Sequence, residues 1–277
     1  VARLITILPE LNGDEAIGVA QIRSLMSNEQ KTLAFNERPF VHPHHTASAA
    51  VIVGGGTNPK PGALSLAHHG VLFLDELPEF NRNVLEALRE PLETKQVNIS
   101  RVNQHVSYPA NNLLIAAMNP SSSGYFPDDA FGRCKDTPEQ IYRYQKKISG
   151  PLIDRIDLHI EVPAVEIQDL RAKHSGLDDS SAEIKKRVIS ARNIELIRQN
   201  CLNSEFTNEQ LNQVCFLDAV SDKLIDKAVA DLGMSFRGYH RVLKVARTIA
   251  DLEHSKDINP THLAEALGYR AMSKALN

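Results

Sequence analysis

The sequence predicts an α/β domain followed by an all-helical domain. In the first part, short apolar runs at Val71–Leu74 and Asn112–Met118 are bounded by turn residues, which is typical of buried parallel strands. After Val162 the apolar residues recur at helical spacing, and helix N-cap signals precede the runs. A polar linker near residues 163–180 separates the two parts, which gives domains 1–165 and 166–277.

The composition excludes several classes of protein. The 277 residues carry a formal net charge of −3, so any nucleic-acid surface must be a local patch. Three cysteines, Cys134, Cys201 and Cys215, are too few and too widely spaced for a disulfide framework or a zinc ribbon, which suits a reducing cytoplasm. No apolar run has the length of a membrane span.

The elements of the first part follow from local patterns. Val1–Leu8 and Asp14–Ser27 have helical spacing, and Arg82–Leu92 is a further predicted helix. The glycine-rich segment Ala49–Pro61 is typical of a hairpin or loop and not of a helix. Gln96–Tyr108 alternates like the two strands of a hairpin.

Later elements are marked by alternation and by helix caps. Leu158–Val162 alternates and predicts another strand, whereas Pro138–Lys147 is helical. The C-terminal helices are predicted from the capping pairs Ser180/Glu183 and Thr207/Gln210, from the segments Ser221–Leu232 and Ser235–Leu252, and from Asn259–Pro260.

An acidic pair closes the first predicted parallel strand. Asp75 and Glu76 directly follow Val71–Leu74, and ligands bind at the carboxyl ends of strands in open α/β folds. An aspartate there can hold a hydrated Mg²⁺ that bridges nucleotide phosphates, and the next carboxylate can polarise an attacking water. On this segment alone, a solvated acidic turn after a core strand is an equally good interpretation.

A polar residue is predicted to lie beside this pair. Asn119 follows the run Asn112–Met118, which we interpret as the next buried strand of the same sheet. Its amide is therefore expected at the same edge, where it could orient the attacking water. Asparagine before proline is also a common turn residue, so the position alone leaves both interpretations open.

Two arginines are candidates for contacts with phosphate. Arg155 could reach the γ-phosphate of a neighbouring subunit, or form a salt bridge with Asp154 or Asp157. Arg237 opens the predicted helix Ser235–Leu252, where it could face phosphate. A solvated helix start is the simpler interpretation of Arg237.

Several motifs resemble the magnesium chelatase-related family of AAA+ ATPases. The resemblance runs from about Leu4 to Arg270, and its motifs occur in the family's order: Gly54–Gly55–Gly56, Ser65–Leu66–Ala67–His68, Gly70–Pro78, Ala116–Pro120, Ile148–Val162 and Val245–Asp251. It implies a three-layer α/β/α core of the P-loop type followed by a helical lid. ATP and Mg²⁺ are the implied cofactors, and a homo-hexamer is the implied assembly.

The resemblance also implies a role for each candidate residue. Asp75 is similar to the metal ligand of the Walker B motif, and Glu76 to its catalytic carboxylate. Asn119 is similar to the sensor 1 residue and Arg155 to the arginine finger. The sensor 2 arginine is similar to Arg237, with Arg241 as the alternative.

Two segments resemble loops that point into the pore of related motors. Gly54–Lys60 is similar to the helix-2 insert, and Gln96–Tyr108 to the presensor hairpin. Lys60 and Arg101 are therefore candidates for nucleic-acid binding, although a lone basic residue in a loop is more often only solvated. Ser121–Ser123 stand where many family members carry a cysteine pair, so no zinc is expected there.

One family motif does not occur in these 277 residues. P-loop ATPases use Gly-x-x-x-x-Gly-Lys-Ser/Thr, the Walker A loop, to cradle the phosphates, and no segment of the sequence has that pattern. In the family this loop precedes the helix similar to Val1–Leu8. The chain is therefore expected to be a fragment that begins after the loop and after the N-terminal domain of its relatives.

Three functions remain open. The resemblance favours a cytoplasmic motor, of helicase or translocase type, that uses ATP to drive branch migration of single-stranded or branched DNA during natural transformation and recombination. The first alternative is the ATPase subunit of a metal chelatase, which inserts Mg²⁺ into a porphyrin. The second is an inactive, truncated remnant.

Overall fold

Two compact units make up the structure, a computed structural model that describes residues 2–26, 34–101, 104–125, 134–162 and 179–270. The first unit is built mainly on Glu10–Arg155, and the second on the described residues from Ile156 onward. The first is mixed α/β and the second is helical. The predicted linker and the boundary at 165/166 fall on residues 163–178, which lie outside the described residues.

A parallel sheet and two antiparallel hairpins contain the described strands. In chain order they are β1 (Phe40–Val41), β2 (Gly54–Gly55), β3 (Lys60–Pro61), β4 (Val71–Leu74), β5 (Gln96–Arg101), β6 (Gln104–Pro109) and β7 (Leu113–Ala116). The parallel sheet has the order β1-β4-β7, with Phe40 opposite Val71 and Leu74 opposite Ala116. The two predicted parallel strands are therefore confirmed and are direct neighbours.

The two strands differ in burial. All four residues of β4 are buried, whereas Leu113 of β7 is exposed and the rest of β7 is half-buried. The prediction of a second fully buried strand is wrong. Within the described part of the chain, β4 pairs on both sides and β7 pairs on one side only.

The hairpins match the sequence pattern in part. β5 and β6 pair from Gln96–Pro109 to Arg101–Gln104, which confirms the hairpin predicted at Gln96–Tyr108. β2 and β3 also form a hairpin, as the glycine-rich segment indicates. The sequence predicts no helix in Ala49–Pro61, and this is wrong for Ala49–Ile52, where a helical turn buries Ile52 completely in the core.

The first unit also contains several short helices. They are α1 (Gly13–Ser24), α2 (Ala49–Ile52), α3 (Ala63–Leu66), α4 (Arg82–Ala87), α5 (Arg89–Thr94), α6 (Pro138–Gln145) and α7 (Gly150–Ile153). The helix predicted at Arg82–Leu92 is divided at Leu88, because Pro91 has no N–H to donate to the carbonyl four residues earlier. Ala2–Ile7 is a 3₁₀ helix where an α-helix was expected, and Leu77–Glu79 is another.

The core of the first unit lies where the sheet meets these helices. Its most deeply buried members come from β4, α3, α4 and the residue between α4 and α5: Leu72, Leu74, Leu64, Leu85 and Leu88. Burying a leucine side chain contributes about 1.5–3 kcal/mol, so this cluster fixes β4 firmly. The residues that follow β4 are therefore attached to a firmly packed strand.

The second unit consists of helices with the predicted caps. They are α8 (Ser181–Gln199), α9 (Asn208–Val214), α10 (Ala219–Leu232), α11 (Phe236–Leu252) and α12 (Pro260–Gly268). Ser180, Thr207, Ser235 and Asn259 each accept a hydrogen bond from a first-turn amide, which confirms these helix starts. Leu211, Ile225, Ala246 and Leu263 pack in the core of this unit.

The strand predicted at Leu158–Val162 is not formed. The segment has no regular structure, and Ile160 and Val162 are exposed. Its backbone contact is the amide of His159, which donates to the carbonyl of Tyr269 at 2.8 Å. An alternating pattern becomes a strand only beside a partner strand, and no described strand pairs with it. Over the described residues, no helix is long and apolar enough to cross a membrane.

Candidate functional site

The acidic pair follows β4 at the carboxyl edge of the sheet. Val71, Leu72 and Leu74 have no exposed surface, whereas Asp75 and Glu76 are exposed. The amide of Glu76 donates to Oδ1 of Asp75 at 3.0 Å. Two carboxylates therefore emerge into solvent from the end of the most buried strand.

The backbone turns sharply at Glu76. Its φ of 52° and ψ of 48° lie in the left-handed region, which costs a non-glycine residue roughly 1 kcal/mol or more. The turn is held on both sides by Ala117, the residue after β7: the amide of Ala117 donates to the carbonyl of Leu74 and the amide of Leu77 donates to the carbonyl of Ala117, each at 2.9 Å. Strain of this kind is common at functional sites.

Asn119 lies at the same edge. It follows β7, whose last residue, Ala116, is opposite Leu74, so the two chains leave the sheet side by side. The Asn119 side chain is exposed. The structure thus brings Asn119 and the acidic pair to one edge of adjacent parallel strands, as the strand pattern predicts.

A histidine that the sequence pattern does not indicate also lies at this edge of the sheet. Nδ1 of His45 lies 2.8 Å from Oε2 of Glu76. His45 follows β1, which pairs with β4 on the side opposite β7. The sequence offers one clue to this contact, the three histidines of Arg38–Thr46. To recognise it, one must also know that this segment contains a strand of the same sheet, β1.

Arg155 forms hydrogen bonds and an ion pair with residues of the first unit. Its Nε donates to the carbonyl of Arg89 at 2.8 Å and its Nη1 to that of Pro151 at 2.6 Å. Nη2 donates to Oε2 of Glu93 at 2.8 Å, and the Arg155 side chain is only 10% exposed. Of the two sequence interpretations, a salt bridge does form, but its described partner is neither Asp154 nor Asp157.

The two candidates for sensor 2 lie in the first turns of α11, in the second unit. Arg237 is exposed. Arg241 forms an ion pair with Asp157 and is mostly buried. The two arginines therefore differ in their exposure to solvent.

The nucleic-acid candidates lie on the two hairpins. Lys60 is exposed in β3, opposite Gly55 of β2. Arg101 ends β5, and its side chain lies outside the described part of the structure.

The donor set at the sheet edge suits a hard divalent cation. Mg²⁺ prefers oxygen ligands and usually takes one or two carboxylates plus waters and phosphates, so the exposed Asp75 carboxylate fits such a role. The described residues contain no group of three or more histidine, cysteine, aspartate or glutamate side chains that could hold a metal by themselves.

Comparison with known proteins identifies the family. The family model described as magnesium chelatase, subunit ChlI, matches residues 1–170, and the model of the C-terminal part of that subunit matches residues 178–270. The parallel α/β unit and the helical unit are consistent with an AAA+-like domain followed by a helical part. The chain belongs to the magnesium chelatase subunit ChlI family.

Individual relatives narrow this assignment. Competence protein ComM of Haemophilus influenzae is 45% identical over 275 residues, which are 99% of this chain and 53% of that protein. The uncharacterised protein YifB of Escherichia coli is 44% identical over 275 residues, 99% of this chain and 54% of that protein. Magnesium-chelatase subunit ChlI of Mesostigma viride is 22% identical over 205 residues, 66% of this chain and 49% of that protein.

These relatives are longer than the chain. The chain spans about half the length of the curated relatives that it matches. Its similarity to ComM and YifB covers nearly all of its residues and is twice as high in identity as its similarity to the chelatase subunit. It is therefore a ComM-like member of the family.

Proposed function

We propose that this chain carries the hydrolytic half of an ATPase site in a motor that remodels DNA. The observation that carries the proposal is that Asp75 and Glu76 follow β4, and Asn119 follows β7, at the carboxyl edge of these adjacent parallel strands. ATP hydrolysis needs a ligand for Mg²⁺, a base for water and a polar group that orients this water. Asp75, Glu76 and Asn119 would supply these three groups.

Each side chain has one task in this proposal. Mg²⁺, when bound with ATP, would neutralise charge on the β- and γ-phosphates. The Asp75 carboxylate would hold this Mg²⁺, and the exposure of Asp75 leaves room for waters and phosphates around the ion. Glu76 would polarise the attacking water, and the Asn119 amide would orient that water. The rigid β4 support keeps the carboxylates aligned.

Two arginines would act on phosphate. Arg155 would stabilise transition-state charge on the nucleotide of a neighbouring subunit, and this requires it to exchange its contact with Glu93 for phosphate. Arg237 would act as sensor 2, because its side chain is exposed, and Arg241, which is mostly buried beside Asp157, is the alternative.

The motor as a whole is proposed to be a cytoplasmic homo-hexamer that binds single-stranded or branched DNA. The hairpins with Lys60 and Arg101 would face the DNA in the pore. The name of the Haemophilus influenzae relative, a competence protein, supports a role in natural transformation and recombination. A role as ATPase subunit of a metal chelatase is the second candidate, because the matching family models carry the name of a chelatase subunit.

ATP turnover tests the proposal. In a chain that is extended before Val1 by the family's Walker A loop, Glu76→Gln should lower turnover at least about 100-fold and retain bound ATP. Glu209→Gln, on the exposed first turn of α9, is the matched control and should leave turnover unchanged. Normal turnover of Glu76→Gln would show that the carboxylate assignment is wrong.

Two further measurements separate the alternatives. A DNA motor should hydrolyse ATP faster when a Holliday junction is present. The ATP turnover of a chelatase subunit should not depend on DNA, and that subunit should support Mg²⁺ insertion into a porphyrin. The chain Val1–Asn277 by itself should show no turnover, since it contains no phosphate-binding loop. Turnover by this chain alone would show that its hydrolysis does not depend on that loop.

A further inference from the structure

A groove of about 800 Å³ lies in the first unit between the 3₁₀ helix Leu77–Glu79 and α6. Four cationic side chains line it: Arg82, Arg143, Lys146 and Lys147. The described lining also contains two carboxylates, Glu79 and Glu139. The groove therefore has a local excess of positive charge in a chain whose net charge is −3.

The ion pairs in the groove can be exchanged for other anions. Nζ of Lys147 lies 3.1 Å from Oε1 of Glu79, and the side chains are 47% and 43% exposed. Nη2 of Arg143 lies 2.9 Å from Oε1 of Glu139, and both side chains are more than three-quarters exposed. Exposed pairs of this kind contribute only about 0–1 kcal/mol, so an incoming polyanion can replace the carboxylates.

An exposed aromatic ring stands among these cations. Tyr142 of α6 is 52% exposed although the ring is large and apolar. Nζ of Lys146 donates to the Tyr142 hydroxyl at 2.6 Å and lies 4.7 Å from the ring centroid. The lysine thus restrains the ring, while part of the ring remains open to solvent as a stacking surface.

We propose that this groove binds a single strand of nucleic acid, with backbone phosphates on the four cations and an unpaired base on Tyr142. Most binding sites for single-stranded nucleic acid have two parts. Cationic side chains lie along the sugar-phosphate backbone, and aromatic rings stack on the bases. The inference rests on the DNA-remodelling function proposed above and adds a site separate from the two hairpins. An acidic protein segment would use the cations but has no need of the exposed ring, so the strand is the better occupant.

The groove is adjacent to the candidate hydrolytic site. Glu79, the partner of Lys147, lies at the end of the 3₁₀ helix that begins directly after Glu76. Burial raises the pKa of Tyr144 on α6, and the charges of Glu79 and Glu76 raise it further. The groove and the acidic pair are therefore joined by one short 3₁₀ helix.

Fluorescence anisotropy of a labelled oligothymidine of about 20 nucleotides tests the site on the chain as it stands, without ATP. Arg143→Ala with Lys146→Ala should weaken binding and reduce the salt slope by about 0.7 for each phosphate that is no longer neutralised. Tyr142→Ala should weaken binding roughly tenfold, whereas Tyr142→Phe, which keeps the ring, should bind normally. A duplex of the same length should respond less to Tyr142→Ala, because its bases are already stacked.

Lys223→Ala with Lys227→Ala is the matched control, since both are exposed lysines on α10. It should leave strand affinity unchanged. Equal affinity of the groove variants and the unchanged chain, or no strand binding at about 50 mM salt, overturns the site. A change of oligomeric state in sedimentation with unchanged strand affinity also overturns it and makes the groove an interface between copies. These outcomes leave the ATPase assignment untouched, because no arm of the test measures hydrolysis.

Discussion

Nδ1 of His45 and Oε2 of Glu76 lie 2.8 Å apart at the carboxyl edge of the parallel sheet. The two residues follow β1 and β4, which are neighbours, so the contact depends on the sheet and not on proximity in sequence. Glu76 also lies in a left-handed turn whose flanking residues, Leu74 and Leu77, are hydrogen-bonded to Ala117, the residue after β7. All three strands thus contribute to the orientation of one carboxylate.

His45→Ala should lower ATP turnover of the extended chain roughly tenfold with little change in the KM for ATP. The reason is that His45 orients Glu76 and is not expected to contact nucleotide. His45→Gln, which can donate a hydrogen bond from a similar position, should restore part of the turnover. His254→Asn is the control, because His254 is exposed and its left-handed backbone suits asparagine. A rise in KM alone would assign His45 to binding.

The contacts of Arg155 allow a test of action between subunits. Arg155→Ala and Glu76→Gln should each abolish turnover while ATP still binds. Mixing the two variants should restore part of the turnover, because a subunit with intact Glu76 can then receive Arg155 from its neighbour. No recovery on mixing, with both variants folded and assembled, would make Arg155 a structural residue that only joins Arg89, Pro151 and Glu93.

Much of this site could be predicted from local sequence. The burial of Val71–Leu74 and the turn chemistry of Asn119 locate two strand ends, and the shared edge follows from parallel pairing. The helix caps were equally predictable, since each depends on residues only three positions apart.

Long-range contacts could not be predicted in the same way. The partner of Arg155 is Glu93, 62 positions away, whereas the sequence suggested the adjacent aspartates. Leu158–Val162 has the alternation of a strand but no partner strand among the described residues. His45 was overlooked because its role depends on the pairing of the two-residue strand β1, which has too few residues to produce a pattern.

Gly70→Ala should destabilise the first unit by about 1–3 kcal/mol. A Cβ at Gly70 would lie 2.0 Å from the carbonyl oxygen of Pro39, which accepts the amide of Val71 at 2.8 Å. The substitution therefore forces β1 and β4 apart. Gly268→Ala is the control, because a Cβ there meets nothing within 4 Å and alanine favours the helix. Urea unfolding measures both, and equal stability of the two variants would show that the strands adjust without cost.

A buried charge network holds the second unit together. Asp251 is completely buried and accepts hydrogen bonds from Arg198 at 2.5 Å and from Arg247 at 3.0 Å. Arg247 is itself only 1% exposed. Removing one partner of a buried ion pair costs about 3–5 kcal/mol, because the other charge is left without compensation. Asp251→Asn should therefore lower the stability of this unit strongly.

Asp179→Asn is the matched control for this substitution. Asp179 pairs with Arg187 at 3.0 Å, but the two side chains are 51% and 65% exposed, so the loss should be at most about 1 kcal/mol. Cys215 provides a specific readout, because burial raises the pKa of its thiol to about 12 and keeps it unreactive in the folded unit. Alkylation of Cys215 should accelerate in Asp251→Asn and remain slow in Asp179→Asn.

The same network should make the second unit sensitive to acid. Burial favours a raised pKa of Asp251, but the hydrogen bonds from Arg198 and Asn203 and the charge of Arg247 outweigh it and hold the pKa below its usual range. A carboxyl with a lowered pKa stabilises the fold above its unfolded pKa of about 3.9 and loses this contribution as the pH falls through its folded pKa. Unfolding of the second unit, followed by circular dichroism, should therefore begin below about pH 4, and in Asp251→Asn this acid dependence should be smaller. An unchanged acid dependence in Asp251→Asn would assign it to other carboxyl groups.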